Sequence, residues 1–416
     1  MSKKRKNDNN NTDSLKRTKN ASDMLINACK RNELKKVIKS INLGADVNII
    51  TDDGLTPLYI ACYKGQKDIV NVLLRQELID INKATATDNG ITPLYIACEK
   101  GHTDIVNALL SQESIDINKA TTDGWGWTPL LIACAKGHTD IVNALLSQES
   151  IDINKAETDS GRTPLYIACA NGHTDIVNAL LSQESIDVNK ATTDSGMTPL
   201  FNVCFKGHTD IVNALLSQES IDINVATTDY GKTPLYIACY HGNTVIVNVL
   251  LNQESIDINK ARTDNGWTPL HTACEEGHVN IVGLLLSDDN ININVKDKDG
   301  RTALDMASNN NIMNLFRRYK KFNIQFTKPT TLTEPIEMCI ICLENWKPED
   351  NYVKLKCGHI FHKKCLSNYF LRGNDRCPIC RQMINILSQP VFIKSEPDNN
   401  GNITLRLQDM NIKLKF

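Results

Sequence analysis

A single motif recurs along most of the chain and sets the class of fold that the chain can adopt. "TPLYIAC" or a close variant begins at seven threonines: Thr56, Thr92, Thr128, Thr163, Thr198, Thr233 and Thr268. Two degenerate copies, "DMLINAC" from Asp23 and "TALDMAS" from Thr302, extend the series to nine units spaced by 33 to 36 residues. A period of this length predicts a solenoid, in which each unit buries its apolar face only against its neighbours.

Each unit contains the signals for two helices and a connecting turn. The Gly two positions before Thr favours a positive-φ turn, Thr can cap a helix, and Pro suits the first helical position. We therefore predict a first helix through "LYIAC" that ends near "KGH". A second helix is predicted through "TDIVNALLSQ", whose Ile, Val and Leu side chains share one face. The stretch "IDINKATTDSG" that follows predicts an extended finger with a turn.

The patterns "G-x-TPL", "GH-x-DIV" and "D-[IV]-N" resemble the ankyrin repeat over about 300 residues. The resemblance implies a mostly α-helical ankyrin solenoid of about nine units over residues 23–320. Most internal units carry extra residues in "SQESIDIN" and "KATTDSG", so longer fingers are expected. The His that the family usually places after "TPL" is present only at His271.

Eight of the fourteen cysteines occupy one equivalent helical position in successive units. Redox or metal chemistry is one interpretation, and a small buried hydrophobe is the favoured one. Equivalent positions of stacked helices lie roughly 8–10 Å apart, which is too far for a disulfide. The histidines of the "GH" pairs resemble the structural turn histidine of ankyrin units. The eight cysteines are Cys29, Cys62, Cys98, Cys134, Cys169, Cys204, Cys239 and Cys274.

The units differ from one another mainly at the finger tip and on the first helix. In ankyrin proteins these positions line the concave recognition surface, so the resemblance implies that a protein substrate binds there. Trp127 and Trp267, with Trp125 and Tyr230 beside them, are large side chains of the kind that anchor interfaces. Drift between duplicated units is the alternative explanation. No catalytic dyad or phosphate-binding loop is found in the array.

Charge is unevenly distributed although the net charge is only −2. Residues 1–22 carry seven Lys/Arg against two Asp, or +5, residues 23–320 carry 25 against 37 Asp/Glu, or −12, and residues 339–381 carry eight against four, or +4. An acidic body favours a basic protein partner and disfavours nucleic acid. No apolar run approaches the ~20 residues of a membrane span.

The N-terminal stretch has no apolar core of a secretory signal, so a cytoplasmic or nuclear location with reduced cysteines is expected. The basic clusters from Lys4 to Lys19 fit a two-part nuclear import signal, or a solvated basic leader.

A second cysteine group lies near the C-terminal end and has a different spacing. "CIICLENWKPEDNYVKLKCGHIFHKKCLSNYFLRGNDRCPIC" has a Cys-x2-Cys pair at each end, the spacing that lets two thiolates reach one tetrahedral zinc. So few apolar residues could not form a core without such a metal. The eight candidate ligands are Cys339, Cys342, Cys357, His359, His362, Cys365, Cys377 and Cys380.

The ligand order, three Cys, two His and three Cys, resembles the two-histidine form of the RING finger. The resemblance implies a cross-brace with two zinc ions. One would be held by Cys339, Cys342, His362 and Cys365, and the other by the remaining four ligands. The Cys-x2-4-Cys…His-x3-5-His order of a nucleic-acid zinc finger is absent.

RING fingers of ubiquitin-protein ligases hold a ubiquitin-conjugating enzyme in an apolar groove, and the resemblance assigns that groove to Ile341, Tyr369 and Pro378. Tyr369 stands where the family prefers Trp. Arg381 matches the cation that bridges the conjugating enzyme and its ubiquitin in active members. Structural zinc sites are closed, so catalysis would consist of holding the thioester in a reactive pose.

Five segments are predicted: a disordered basic leader (1–22), the ankyrin array (23–320), a linker (321–338), the RING finger (339–381) and a tail (382–416). We predict a RING-type ubiquitin-protein ligase whose array selects the substrate. The alternative is an interaction scaffold with a purely structural RING.

Overall fold

The computed structural model describes residues 2–86, 89–307, 309–323, 332–333, 338–339, 341, 344–345, 352–354, 360–372, 378, 396–397, 403–404 and 406–407. For residues 2–15, 321–323, 363 and all strand residues except 361 and 362 it gives the backbone only. The chain divides into two compact units, residues 1–229 and residues 230–416.

The first helix of each repeat begins at the Pro of the recurring motif. The preceding Thr is extended, and its hydroxyl accepts a hydrogen bond from the backbone N–H three residues later, as Thr92 does from Tyr95 at 3.1 Å. Pro suits the first helical position because it has no N–H that would need an acceptor. The Thr and Pro of the motif therefore determine where the helix begins. These helices are α3 (Pro57–Tyr63), α5 (Pro93–Lys100), α7 (Pro129–Lys136), α9 (Pro164–Asn171), α11 (Pro199–Lys206), α13 (Pro234–Tyr240) and α15 (Pro269–Glu275).

The second helix of each repeat packs against the first and against the second helix of the neighbouring repeat within each unit. Its Ile, its Val and the Leu three residues after the Val are buried, as are Ile141, Val142 and Leu145. This is the predicted apolar face. These helices are α2 (Leu34–Asn42), α4 (Lys67–Leu74), α6 (Thr103–Leu110), α8 (Thr139–Leu146), α10 (Thr174–Leu181), α12 (Thr209–Leu216), α14 (Thr244–Leu251) and α16 (Val279–Leu286).

The turn between the two helices depends on a Gly and on a His of the next repeat. Gly101 has φ 75°, and a Cβ placed there would lie 2.8 Å from Cε1 of His138. The Nε2 atom of His138 lies 3.3 Å from the carbonyl oxygen of Glu99, so this nitrogen is the donor. The same arrangement joins His102 to Tyr63. The array histidines of this type are therefore structural, as predicted.

The fingers are joined to one another by hydrogen bonds that recur from repeat to repeat. The amide N–H of Thr193 donates to the carbonyl of Ser160 in the preceding finger at 2.8 Å. Behind the finger, the Nδ2 atom of Asn118 donates to Ser150 O at 2.7 Å, and its Oδ1 atom accepts from the backbone N–H of Asp152 at 2.9 Å. The Asn of "IDIN" thus links successive repeats, a role that the repeat pattern alone did not indicate.

The two ends of the array differ from the internal repeats. Helix α1 (Ser2–Lys30) covers the segment predicted as a disordered leader, so the backbone is helical there; its first buried side chains are Ala21 and Ser22. At the other end a 3₁₀ turn (Ala303–Met306) replaces the first helix of the last repeat. Helix α17 (Asn310–Asn323) follows it and packs against α16.

The C-terminal region consists of short antiparallel strand pairs and one helix. Strand β4 pairs with β5, with Tyr352 opposite His362. The strand pairs β1–β8, β2–β3 and β6–β7 each contain two residues per strand. The elements are β1 (Leu332–Thr333), β2 (Met338–Cys339), β3 (Glu344–Asn345), β4 (Tyr352–Lys354), β5 (Ile360–His362), α18 (Lys363–Leu371), β6 (Glu396–Pro397), β7 (Ile403–Thr404) and β8 (Arg406–Leu407).

Among the helices that the structure describes, none combines the length and the apolar character that a membrane crossing requires.

One finger contains a buried carboxylate where neighbouring repeats have Thr. Burial would raise the pKa of Glu157, but hydrogen bonds from Ser160 and Arg162 outweigh it and lower this pKa to about 2. Its Oε1 atom accepts from the Ser160 hydroxyl at 2.6 Å, and from the backbone N–H and Nε of Arg162, both at 3.1 Å. The ionised carboxylate therefore holds the turn closed.

Glu157→Gln should destabilise the array at neutral pH by about 2 kcal/mol, the usual worth of hydrogen bonds to a charged group. Because the folded pKa lies below the unfolded value of 4.5, the carboxylate contributes fully above pH 4.5 and loses its effect as the pH falls toward 2. The difference from wild type should thus shrink with acidification. Urea unfolding followed by circular dichroism at pH 7 and pH 3 measures it.

The matched control is Glu149→Gln, since Glu149 is exposed in the loop of the same repeat. It should unfold like wild type at both pH values. A Glu157→Gln difference that is as large at pH 3 as at pH 7 would contradict the carboxylate's role.

Candidate functional site

Two of the predicted zinc ligands have described side chains, and they lie together. His362 ends strand β5, and Cys365 stands in the first turn of α18. The Sγ atom of Cys365 is 3.8 Å from Nδ1 of His362. Two ligands of one tetrahedral zinc, at Zn–S ≈ 2.3 Å and Zn–N ≈ 2.0 Å, are separated by about 3.5 Å. The spacing of these donors therefore fits a shared zinc ion.

The first Cys-x2-Cys pair approaches the same place along the backbone. Cys339 ends strand β2, and β2 packs against β5, the strand that contains His362. The side chain of Cys339 is outside the described part of the structure. Cys342, Cys357, His359, Cys377 and Cys380 also lie outside the described residues.

The residues predicted to contact a conjugating enzyme are described in part. Tyr369 lies on α18, one turn after Cys365, and its side chain is half-buried. Ile341 and Pro378 each lie in a turn and are also half-buried. Arg381 falls outside the described residues. Helix α18 thus contains both a candidate zinc ligand and a candidate groove residue. That Ile341, Tyr369 and Pro378 form one groove stays a prediction.

The eight array cysteines occupy a very different environment. All are buried and none forms a disulfide. Burial raises the pKa of Cys29 and of Cys274 to about 12, and it also raises the pKa of five thiols between them, Cys62, Cys98, Cys134, Cys169 and Cys204. Within the described residues no group of three His, Cys, Asp or Glu side chains is placed to hold a metal. The array thiols are therefore packing residues, as the sequence indicated.

The two tryptophans predicted to anchor a partner are less exposed than their neighbours. Trp127 and Trp267 are half-buried, and their backbone carbonyls accept hydrogen bonds that close their own fingers. Trp125 is 49% exposed and Tyr230 is 46% exposed. The most accessible aromatic surface at these finger tips therefore belongs to the residues beside the two tryptophans.

The first-helix row of residues 1–229 presents two further exposed aromatic side chains, Tyr63 and Phe205. Each follows a buried cysteine, at the position that varies between repeats. The Nζ atom of Lys100 lies 5.0 Å from the Tyr63 ring centre, and that of Lys206 lies 5.7 Å from the Phe205 ring. These distances are within the range of cation–π attraction.

In residues 230–416 the finger tip forms a cluster of aromatic and cationic side chains. Lys232 lies 5.0 Å from the Tyr230 ring, and the guanidinium of Arg262 lies 5.5 Å from the same ring. Arg262 also forms an ion pair with Asp264 and donates to the Tyr236 hydroxyl at 3.1 Å. The sequence analysis did not single out Arg262, although it replaces the Thr found there in most repeats.

The acidic surplus of the array has a repeated structural location. The first turn of α6, α8, α10 and α12 contains an exposed Asp. A carboxylate there interacts favourably with the helix dipole and the unpaired N–H groups. Part of the negative charge therefore stabilises the second helices. These residues are Asp104, Asp140, Asp175 and Asp210.

Comparison with protein families agrees with both parts of the fold. Residues 25–121, 117–192, 184–262 and 255–325 match the family described as "Ankyrin repeats (3 copies)". Residues 337–381 match "Ring finger domain". A ring finger is a zinc-binding domain, which agrees with the donor spacing at His362 and Cys365.

Short stretches of the chain are similar to curated proteins. The chain is 32% identical over 90 residues to human "E3 ubiquitin-protein ligase RNF103", covering 20% of this chain and 13% of that protein. It is 41% identical over 46 residues to "E3 ubiquitin-protein ligase RHA2A" of Arabidopsis thaliana, covering 11% and 30%. It is 36% identical over 69 residues to "RING-H2 finger protein ATL5" of the same plant, covering 16% and 25%.

The chain thus spans less than a third of the length of each of these relatives. The array matches cover well over half of the chain, and the ring finger match coincides with the Cys/His cluster. The chain therefore belongs to the ankyrin-repeat family and carries a C-terminal ring finger of the RING-H2 type.

Proposed function

We propose that this chain is a RING-type ubiquitin-protein ligase, in which the ring finger recruits a ubiquitin-conjugating enzyme and the array binds the protein to be modified. The observation that carries the proposal is the ring finger match at residues 337–381, together with relatives named as E3 ubiquitin-protein ligases. The array supports the second half of the proposal, since ankyrin repeats suit protein binding and expose aromatic side chains here.

The zinc-binding part of the proposal assigns the ligands to two ions. The first would be held by Cys339, Cys342, His362 and Cys365, supported by the His362–Cys365 spacing and by the packing of β2 against β5. The second would be held by the remaining ligands, Cys357, His359, Cys377 and Cys380. Closed four-ligand zinc sites supply structure and do not activate water.

The transfer step in this proposal depends on position. A conjugating enzyme would bind at Ile341, Tyr369 and Pro378, and the guanidinium of Arg381 would contact both the enzyme and its ubiquitin. Holding the thioester in one conformation raises the rate at which a substrate lysine attacks it. The lysine nitrogen then forms the new bond to the ubiquitin carbonyl, and the conjugating enzyme's thiol leaves. No covalent intermediate forms on this chain.

The purified chain should bind two zinc ions, and their removal should unfold the ring finger and leave the array folded. The reason is that the array is stabilised by apolar burial and its thiols hold no metal. Elemental analysis gives the zinc content, and far-ultraviolet circular dichroism before and after chelation gives the helical signal. A content of one ion, or loss of most of the helical signal, would count against this assignment.

Ile341→Ala and Arg381→Ala should each abolish ubiquitin transfer and leave the zinc content unchanged, because neither residue is a ligand. The measurement is release of ubiquitin from a panel of charged conjugating enzymes onto free lysine. Arg372→Ala is the matched control, because Arg372 is an exposed arginine that follows α18 in the same domain.

Full activity in both variants would rule out the proposed groove. A wild-type chain that discharges none of the panel while binding its zinc would favour the alternative of a scaffold whose ring finger is purely structural.

The substrate-binding part of the proposal places a protein on the array's recognition surface, and the net charge of −12 over residues 23–320 favours a basic protein. Lysines over the Tyr63 and Phe205 rings show that this surface also contains cations. A basic partner would therefore contact the carboxylates of the fingers and the aromatic side chains, and its association would be sensitive to salt.

Once a substrate has been identified by proximity labelling, the double variant Trp127→Ala, Trp267→Ala should weaken its binding by about 2 kcal/mol or more if either residue is an anchor. Leu78→Ala is the matched control, since Leu78 is an exposed apolar residue between a second helix and its finger, 84% accessible. Calorimetry at two salt concentrations measures both effects. Unchanged affinity in the double variant would place recognition elsewhere, and affinity that rises with salt would exclude a basic partner.

A further inference from the structure

Residues 230–416 contain both the last repeats of the array and the ring finger, and one helix lies between the two. Helix α18 packs on one side against the ring finger strands β4 and β5, and on another against the array helices α16 and α17. Its side chains Leu366, Phe370 and Leu371 are buried. This nine-residue helix therefore forms the contact between the ring finger strands and the last helices of the array.

Two basic side chains form hydrogen bonds across this contact, one from the array and one from α18, and each bonds a carbonyl at the C-terminal end of a helix. Arg318, on the array helix α17, donates from Nη1 to the carbonyl of Leu371, the last residue of α18, at 3.3 Å. Lys364, on α18, donates from Nζ to the carbonyl of Leu251, the last residue of α14, at 3.4 Å. Lys364 also lies 3.4 Å from Oδ1 of Asn252.

These positions are favourable for physical reasons. The last carbonyls of a helix have no partner within the helix, and the helix dipole makes that end negative. A Lys or Arg side chain placed there satisfies an acceptor and interacts with the dipole. Each part of the chain therefore supplies the cation that caps a helix of the other part.

We propose that Arg318 and Lys364 are positioning residues that dock the ring finger on the end of the array as a fixed body. The consequence for ubiquitin transfer rests on the proposed function. Because α18 contains Cys365 and Tyr369, fixing this helix fixes the surface on which a conjugating enzyme would sit. The array and the ubiquitin thioester would then be held in one relative orientation.

The alternative is a ring finger that is only tethered. Fourteen residues separate the end of α17 at Asn323 from the start of β2 at Met338. An extended chain of that length spans up to about 50 Å. A tethered ring finger could reach lysines over that whole radius, whereas a docked ring finger would reach a restricted set.

The first experiment tests docking by hydrogen–deuterium exchange on the full-length chain. The double variant Arg318→Glu, Lys364→Glu places carboxylates beside helix C-termini and should release α18. Amides of α17 and α18 should then exchange at least about tenfold faster, the change expected when two charged hydrogen bonds are lost. Amides of α3 to α8 should be unchanged.

Arg317→Glu is the matched control, because Arg317 is the neighbouring residue on α17, is exposed, and bonds only Asn314 of its own helix in the contacts described. It makes the charge change of one of the two substitutions at a neighbouring position and should leave exchange unaltered. Zinc content, measured for each variant, excludes unfolding of the ring finger as the cause. Exchange in the double variant that equals that of wild type would overturn the docking.

The second experiment tests positioning, using the chain's own lysines as acceptors. Sites of self-ubiquitination are mapped by mass spectrometry at matched extents of ubiquitin discharge. The wild type and Arg317→Glu should modify the same restricted set of lysines, and the double variant should modify a wider set. An unchanged set after docking is lost would overturn the positioning role. Absence of discharge in every protein would contradict the ligase function, and the exchange experiment would still decide the docking.

Discussion

Within each compact unit an Asn side chain of one repeat pairs polar backbone groups of the next repeat, and the regular stacking of the helices depends on these bonds. The Asn118 side chain forms two hydrogen bonds to the next repeat, as donor to the carbonyl of Ser150 and as acceptor from the backbone N–H of Asp152. The amino group of Lys119 reaches back to the carbonyl of Asn82 at 3.0 Å. Since each such bond fixes the position of one repeat against the next, an Asn recurs at this position in successive repeats.

The elements that could be predicted from the sequence are those set by contacts within a few residues. Thr and Pro specify where each first helix begins, because the cap bond spans three positions and the ring of Pro fixes φ. The Asn bonds between repeats join residues more than thirty positions apart, so the repeat period was visible and their partners were not. The half-burial of Trp127 and Trp267 was not visible in the sequence either, because residue type alone suggested greater exposure.

The zinc cluster could likewise be predicted from residues close in sequence, whereas its contacts with the array could not, because they join distant residues. The spacing of Cys and His encodes a tetrahedral site because ligands two or three residues apart must reach one ion, and the His362–Cys365 distance agrees. Nothing in the spacing indicates that Arg318 meets Leu371, 53 positions later, or that Lys364 meets Leu251, 113 positions earlier. Such contacts form only once the last helices of the array and the ring finger segment have packed together in the same compact unit.

The chain uses cysteine for two purposes that differ in the environment of the thiol. Zinc binds the thiolate, so a ligand must lose its proton. In the array this loss would leave a charge in an apolar interior, and burial accordingly raises the pKa of thiols such as Cys29 to about 12. Cys365 is partly exposed and lies beside an imidazole nitrogen. Buried thiols such as Cys29 and Cys274 therefore do not compete for zinc with the thiols of the ring finger, because desolvation keeps them protonated.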